Sequence, residues 1–412
     1  LYNRTTDPRH KELVKEYFTL LKNSGFLKQQ TMQQYCSISD DGVTKFLPDR
    51  YVEGDCPICG SEGARGDQCD ECGSTYESSE LVNPRSKMDP DAKIEIRDTD
   101  HFFFQLNQFQ DELEKHSQKK QKIWKPNVRA MTKNWLNMGL RPRAVTRDME
   151  WGIKLPISSV EWDSKRIYVW FEAVQGYLTC SQIWSENYST NDDDWKKWWM
   201  KSDEGIEPKH IYFMGKDNIP FHTVIWPAII MGLNSANSGN IPSSLIQPGE
   251  LVLESNVPAM EYLMLQGGQF SKSRKHAVWL PSFLEHHNPD TLRYFLSINM
   301  PEGHDTDFRW EEYVDKVNNE LIGTYGNFVH RVMTLSHRLE SLDGENPLSQ
   351  YFNGEDNKDS MNKIQNLLNS AINSMEKQRF KEALRSIMNI SQMGNGLIQH
   401  SEPWKYMKLE DS

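Results

Sequence analysis

Leu13, Tyr17, Leu20 and Leu21 recur at intervals of three and four, so residues 10–24 are expected to form an amphipathic helix with one buried face. The longest pattern of this kind comes late in the chain. From Trp310 onward, Val314, Val317, Leu321, Tyr325, Phe328, Val332 and Leu335 keep the helical period and predict one long helix. Met361, Ile364, Leu368, Ile372 and Met375 mark a second helix, and Leu384, Ile387 and Met388 belong to a third. The Asn- and Gly-rich segment 341–358 links the first two, so residues 311–412 read as a helical bundle.

Two segments have a different pattern. In 166–178, RIYVWFEAVQGYL, a short apolar run turns into a helix start; 210–218, HIYFMGKDN, is an apolar run ending in Gly-Lys-Asp. Strands that give way to helices indicate an α/β fold with a parallel sheet. Ligands in such sheets sit beyond the carboxyl ends of the strands, which puts Trp170, Glu172, Asp217 and His222 at the expected site. Between the first helix and these segments lies a cysteine-rich stretch, then a polar and helical one through about Leu140. No internal repeat is found.

Composition adds bounds. A chain of 412 residues is expected to hold two to four domains, and 37% hydrophobic residues can build sizeable cores. No apolar run approaches the ~18 residues of a membrane span, and no signal-peptide pattern opens the chain. The chain starts at Leu1 inside a polar segment, as expected for a piece of a longer protein. A net charge of −11 argues against unspecific coating of nucleic acid, but leaves local basic faces at 119–129, KKQKIWKPNVR, and 378–385, QRFKEALR.

Four of the six cysteines form Cys56-Pro-Ile-Cys59 and Cys69-Asp-Glu-Cys72. This spacing suits two knuckles around one tetrahedral Zn²⁺; four thiolates leave no position for water, so the metal would be structural. Gly60 and Gly73 follow each pair, where the chain must turn tightly. The competing reading is four unligated or redox thiols. A subdomain of about 47–82 would then draw its stability largely from the metal. Cys36 and Cys180 read as small buried hydrophobes. Clustered cysteines of this kind fit a reducing cytoplasm better than a disulfide framework. The loop GGQFSKSRK, 267–275, is either solvated surface or a mobile clamp on phosphate, and its residues alone leave both open.

In chain order, the four-cysteine knuckle, YVWFEAVQGY, FMGKDNIPFHTVIWPAII, QFSKSR, VNNELIGTYGNFVHR and EPWK resemble the methionyl-tRNA synthetases of the archaeal type over nearly the whole chain. The resemblance implies a class I enzyme that activates methionine with ATP and transfers it to initiator and elongator tRNA(Met), in the cytoplasm and away from membranes. Its implied cofactors are one structural Zn²⁺, on Cys56, Cys59, Cys69 and Cys72, and Mg²⁺ with ATP. The implied fold is a partial Rossmann-type parallel sheet with a zinc-knuckle connective domain and a C-terminal α-helical anticodon-binding bundle. The implied domains are 1–165 (connective), 166–245 (second half of the catalytic fold), 246–310 (stem contact, with signature loop 269–273) and 311–412 (anticodon bundle).

Carried over residue by residue, Lys272 is the implied catalytic cation and binds ATP with Ser271 and Ser273. Trp170, Ala173, Tyr177, His222 and Trp226 line the implied methionine pocket, and Asn327, Arg331 and Trp404 read the anticodon. Without the resemblance, the tryptophans read as core or packing, His222 as a satisfied buried histidine, and Asp217 as a helix cap as readily as a substrate contact. Three departures stand out. The family's His-Ile-Gly-His signature is not in the sequence, which implies a chain that begins where the first half of the catalytic fold ends and that lacks part of its site. Gln269 replaces a signature lysine, and Val174 stands where a proline is common. The alternatives are a non-catalytic tRNA-binding fragment, or another class I synthetase.

Overall fold

The computed structural model describes residues 2–38, 44–47, 51–66, 69, 72, 76, 78–89, 91–202, 204–236, 251–272, 274–340 and 358–407. By its contacts the chain divides into two units, Leu1–Tyr212 with Asp217–Val257, and Phe213–Lys216 with Pro258–Ser412.

The first unit opens on the helix Pro8–Asn23. Pro8 fits its first turn, and the Asp7 carboxylate accepts the Arg9 N–H at 2.8 Å. Leu13, Tyr17 and Leu21 are buried as the period required, together with Val14 and Phe18. This face packs on the helix Val169–Tyr188, where Tyr17 donates to Gln182 at 2.5 Å and the Arg9 guanidinium meets Glu186 at 2.8 Å.

Next comes an element the apolar pattern does not reveal. Leu27–Ile38 and Lys93–Phe104 pair antiparallel along their full length, from Leu27↔Phe104 to Ile38↔Lys93, in a sheet completed by Thr44–Phe46 and Arg143–Ala144. Residues 93–104 are therefore strand, not part of a polar helical stretch. Both faces of this ribbon are wet over part of its length, so Lys28, Gln29 and Arg97 sit exposed where a half-buried sheet would show apolar alternation. Beyond it, Val52–Asp55 pairs with Ala64–Arg65 and Val82–Ser86 in a small antiparallel sheet that carries the cysteines. Tyr35, Leu47, Val52 and Leu81 form the core beneath.

The hairpin Thr146–Asp148 and Lys165–Ile167 joins the ribbon to the helix Val169–Tyr188. Here the Asp148 carboxylate receives the Lys165 ammonium at 2.8 Å, the Thr99 hydroxyl at 3.0 Å and His101 Nε2 at 3.2 Å. Burial pushes its pKa up, but the hydrogen bonds from His101 and Lys165 outweigh burial and hold it below the usual carboxylate range. The Thr146 hydroxyl takes the Phe102 N–H and so donates to His101 Nδ1, leaving the imidazole neutral with its proton on Nε2.

The 210–218 run and the 166–178 run do not build a broad parallel sheet among the described residues. Lys165–Ile167 pairs antiparallel, and its chain enters a helix at once. The parallel pairs are short: Ile211 with Asn256 in the first unit, then Met214–Gly215 with Ala259–Met260 and Leu263–Leu265 with Thr306–Phe308 in the second. The run 210–218 is cut to two strand residues because Lys216–Asn218 turns immediately.

The second unit is built on a core of Leu265, Phe283, Phe295, Phe308, Tyr313 and Val317. Its expected long helix is continuous through Trp310–Asp315, a wider π-helical stretch Lys316–Gly326, and Asn327–Glu340. Lys358–Glu376, Phe380–Ser401 and the short Pro403–Met407 supply the other helices; the linker 341–357 lies outside the described residues. Phe328 lies against Gly394, where an added Cβ would fall 2.2 Å from the ring. No helix among the described residues is long and apolar enough to cross a membrane.

Gly394→Ala is therefore expected to destabilise the helical unit by about 1–3 kcal/mol through overpacking. Gly396→Ala, on the same helix with nothing within 4 Å of the added carbon, should stabilise it by about 1 kcal/mol through helix propensity. Denaturant melts followed by circular dichroism check the opposite signs.

Candidate functional site

Four groups of residues emerge. In the knuckle, Cys56, Cys59, Cys69 and Cys72 bring their sulfurs within 4.8 Å of one another. The Cys56–Cys72 and Cys59–Cys69 separations are 3.8 and 3.7 Å. A tetrahedral ion with Zn–S bonds of about 2.3 Å requires sulfurs about 3.8 Å apart, so the set fits that metal. The backbone N–H groups of Ile58 and Cys59 both point at Cys56 Sγ, 3.4 Å away, as a chain curling around a thiolate does. Gly60 has φ +75°, which a side chain would strain. Cys36 is buried, Cys180 is partly buried, and neither joins the group.

The aromatic site lies on the helix Val169–Tyr188 and on the helical segment that begins at Phe221. Trp170 packs on Phe221 at 5.5 Å between ring centroids. Ala173 is half-buried on the same helix face as Trp170 and Tyr177, by its three- and four-residue spacing. Tyr177 remains 39% exposed and its hydroxyl lies 2.8 Å from His222 Nε2. The other nitrogen of His222 lies 2.9 Å from the Asn218 carbonyl, which can only accept. Burial holds the His222 pKa below the ordinary imidazole value. The ring is thus neutral with its proton on Nδ1, and Nε2 accepts from Tyr177.

Trp226 belongs to a layer behind. It is fully buried and its indole N–H donates to the Tyr212 hydroxyl at 3.1 Å; that hydroxyl in turn faces His210 Nδ1 at 3.5 Å. His210 donates from Nε2 to the Trp198 carbonyl at 2.6 Å. In this arrangement Trp226 braces Tyr212 and presents no open surface. Tyr212 packs on Tyr177 with tilted rings 4.7 Å apart, so it, with Phe221, His210 and Trp199, belongs to the site although spacing did not single it out. Only the adjacency of Phe221 to His222 could have signalled any of them. Glu172 is buried on this helix. Burial raises its carboxyl pKa to about 7, against the pull of Lys11. Asp217 is exposed, in the tight turn Lys216–Asn218.

In the second unit the loop after Gly268–Gln269 closes through paired backbone bonds between Ser271 and His276, both 2.9 Å. Gly267, at φ +79°, gives its N–H to Asp307 at 2.8 Å, which anchors the foot of the loop. Lys272, Arg274 and Lys275 are exposed, and Lys272 forms no ion pair among the described residues. Ser273 lies outside the described residues.

The bundle brings Asn327 and Arg331, one turn apart on one helix, to residues far along the chain. The Arg331 guanidinium lies 5.8 Å from the Trp404 ring and bonds to the Asn395 carbonyl and to Gln399, at 3.4 and 3.2 Å. Asn327 donates to the Asn395 side chain at 3.1 Å. Asn395 and Gln399 complete the group, one turn apart on Phe380–Ser401.

A family model described as tRNA synthetases class I (M) matches residues 1–333. A methionine–tRNA ligase of Chloroflexus aurantiacus is 39% identical over 100% of this chain and 66% of its own length. That of Chlorobium phaeobacteroides is 38% identical over 99% of the chain and 55% of its own length, and that of Thermoplasma volcanium 38% over 100% and 69%. Among solved structures, Mycobacterium tuberculosis methionyl-tRNA synthetase bound by methionyl-adenylate superimposes with a TM-score of 0.69 at 21% identity. The match covers 99% of this chain and 68% of that one, a likeness of fold. The chain spans 66% and 55% of the first two relatives.

Three buried histidines, His10, His101 and His222, and the half-buried His210 are held below the ordinary imidazole value by desolvation, His10 at about 4. Each takes up protons more readily in the unfolded chain, so its contribution to stability is lost as pH falls below about 6.5. Glu172 acts with the opposite sign, because its raised pKa makes the folded form bind a proton first. Glu172→Gln is expected to steepen the loss of stability between pH 7 and pH 5, read as the urea midpoint against pH. An unchanged or shallower slope would contradict the assignment.

Proposed function

The chain belongs to the class I tRNA synthetases of the methionyl group, and from that premise we propose that it serves ATP-dependent activation of L-methionine to methionyl-adenylate and transfer to tRNA(Met). The observation that carries the reading is the neutral His222–Tyr177 pair set in an aromatic surround. A thioether gains about 0.3–1.5 kcal/mol from each sulfur–aromatic contact. Trp170, Ala173 and Tyr177 would form its wall, His222 would orient it from one side, and Trp226 would brace Tyr212 behind. An uncharged pocket admits the apolar side chain without a desolvated ion, whereas one methylene more or less changes binding by only ~1–3 kcal/mol.

Activation joins the methionine carboxylate to the α-phosphorus of ATP and expels pyrophosphate. Positioning and charge stabilisation dominate such a step. Lys272, exposed and with no ion pair among the described residues, supplies a cation for the leaving phosphates from its anchored loop, with Ser271 and Ser273 as further ATP contacts and Mg²⁺ arriving with the nucleotide. Cys56, Cys59, Cys69 and Cys72 would hold one Zn²⁺, which supplies folding energy at a closed site. Asn327, Arg331 and Trp404 would read the anticodon, the indole stacking a splayed base. We assign residues 1–165 to a connective domain, 166–245 to the second half of a Rossmann-type catalytic fold, 246–310 to stem contact and 311–412 to anticodon binding, with the protein in the cytoplasm.

Lys272→Ala is expected to lower methionine-dependent ATP–pyrophosphate exchange by about 10²–10³-fold, as loss of one preorganised electrostatic contact does. Exchange near the unsubstituted rate would remove Lys272 from the reaction. Trp404→Ala should weaken tRNA(Met) binding by about 1–3 kcal/mol and leave exchange unchanged. Loss of both would assign the indole to packing.

A further inference from the structure

In an acidic chain, residues 110–143 stand apart. They carry nine Lys and Arg against three Asp and Glu, while the whole chain has a net charge of −11. They fold into a helical hairpin, Gln110–Lys119 and Pro126–Asn137, closed at its foot by Gln110, which donates to the Leu136 carbonyl at 3.0 Å and accepts the Leu140 N–H at 2.9 Å. The three acidic residues, Asp111, Glu112 and Glu114, all lie near that foot, and Lys119, Lys120, Lys122 and Lys125 crowd the tip.

The hairpin's inner and outer sides are treated differently. Inside, His116 Nε2 lies 2.5 Å from the buried Glu254 carboxylate, and the Lys120 ammonium bonds to the backbone carbonyls of Glu254 and Ser255. Outside, Lys119, Lys122 and Lys133 are exposed and form no ion pair among the described residues. Arg129, one turn before Lys133, bonds to the Gln121 carbonyl at 3.0 Å, which ties the second helix to the tip. The Arg143 guanidinium lies 5.0 Å from the Trp135 ring. An ordinary solvated face differs: on the nearby 193–201 segment Lys196 and Lys197 each have an aspartate three residues away.

We propose that the outer face of this hairpin is a docking strip for the phosphate backbone of RNA, with Lys119, Lys122 and Lys133 as its phosphate contacts. The proposal rests on the reading that the chain takes tRNA. A protein partner would need apolar anchors, and the exposed apolar side chains here, Ile123 and Met138, stand at opposite ends of the hairpin. Cations in a row, with an Arg–Trp stack beside them, suit a polyanion that also offers bases. Phosphate contacts position an RNA without reading its sequence, so cognate and non-cognate tRNA should feel the strip equally.

The test compares K119Q/K122Q/K133Q with K11Q/K28Q/K45Q, an equal change of charge on exposed lysines elsewhere in the same unit. Binding of labelled tRNA(Met) is followed by fluorescence anisotropy between about 50 and 200 mM salt. The hairpin variant should bind at least about tenfold more weakly at low salt, and the slope of log K against log salt should flatten by about 2–3. The second variant should keep affinity and slope, and both should keep methionine-dependent exchange. Unchanged binding by the hairpin variant, or equal losses in both variants, overturns the strip. If the unsubstituted chain binds no tRNA, the strip falls with the tRNA reading; an anticodon-site variant that loses binding while the hairpin variant does not removes the strip alone.

Discussion

One buried carboxylate organises the first unit. Asp148 sits where the ribbon, the hairpin 146–167 and the start of the pocket helix meet, and it gathers Lys165, Thr99 and His101 onto two oxygens. Thr99 and His101 come from one strand of the ribbon and Lys165 from the hairpin, so the carboxylate ties the two together. Removing one partner from such a pair leaves an uncompensated buried charge, at a cost of about 3–5 kcal/mol. The consequence runs directly to the site. Lys165–Ile167 leads into Tyr168, whose N–H bonds to the Val145 carbonyl and which starts the helix bearing Trp170, Ala173 and Tyr177.

Desolvation sets the chemistry of that helix. The same burial that keeps His222 neutral lets its ring accept from Tyr177 instead of repelling an apolar side chain with a charge. His210 and Tyr212 repeat the device one layer back, with each nitrogen and hydroxyl given a defined role. A relay of neutral donors and acceptors is rigid without being ionic. Arg331 in the second unit works otherwise. Its guanidinium is held by Asn395 and Gln399 while one face stays against Trp404, so an always-charged group is placed by hydrogen bonds from a neighbouring helix.

Much of this was legible in the residues. The helix containing Leu13, Tyr17 and Leu21, and the long helix from Trp310, follow from their apolar period, because a buried helical face repeats every three to four residues. The clustering of the four cysteines was legible because each Cys-x-x-Cys pair lies within about one turn of chain. The ribbon 27–38 with 93–104 was not. Its two strands are far apart in sequence and have exposed residues on both faces, so neither shows the alternation of a half-buried sheet. Short parallel pairs replaced the expected sheet among the described residues, since the turn at Lys216–Asn218 ends the run early.

The sequence by itself determined the helices, the spacing of the four cysteines and the order of motifs, since each depends on neighbours within a turn or two of chain. Only the tertiary structure decided which groups are charged and which are covered. It made His222 neutral, lifted Glu172, enclosed Trp226 behind Tyr212, and brought Arg331 to Trp404. Protonation and exposure depend on the dielectric and hydrogen-bond partners that distant segments supply on folding, and a linear pattern carries no record of those partners.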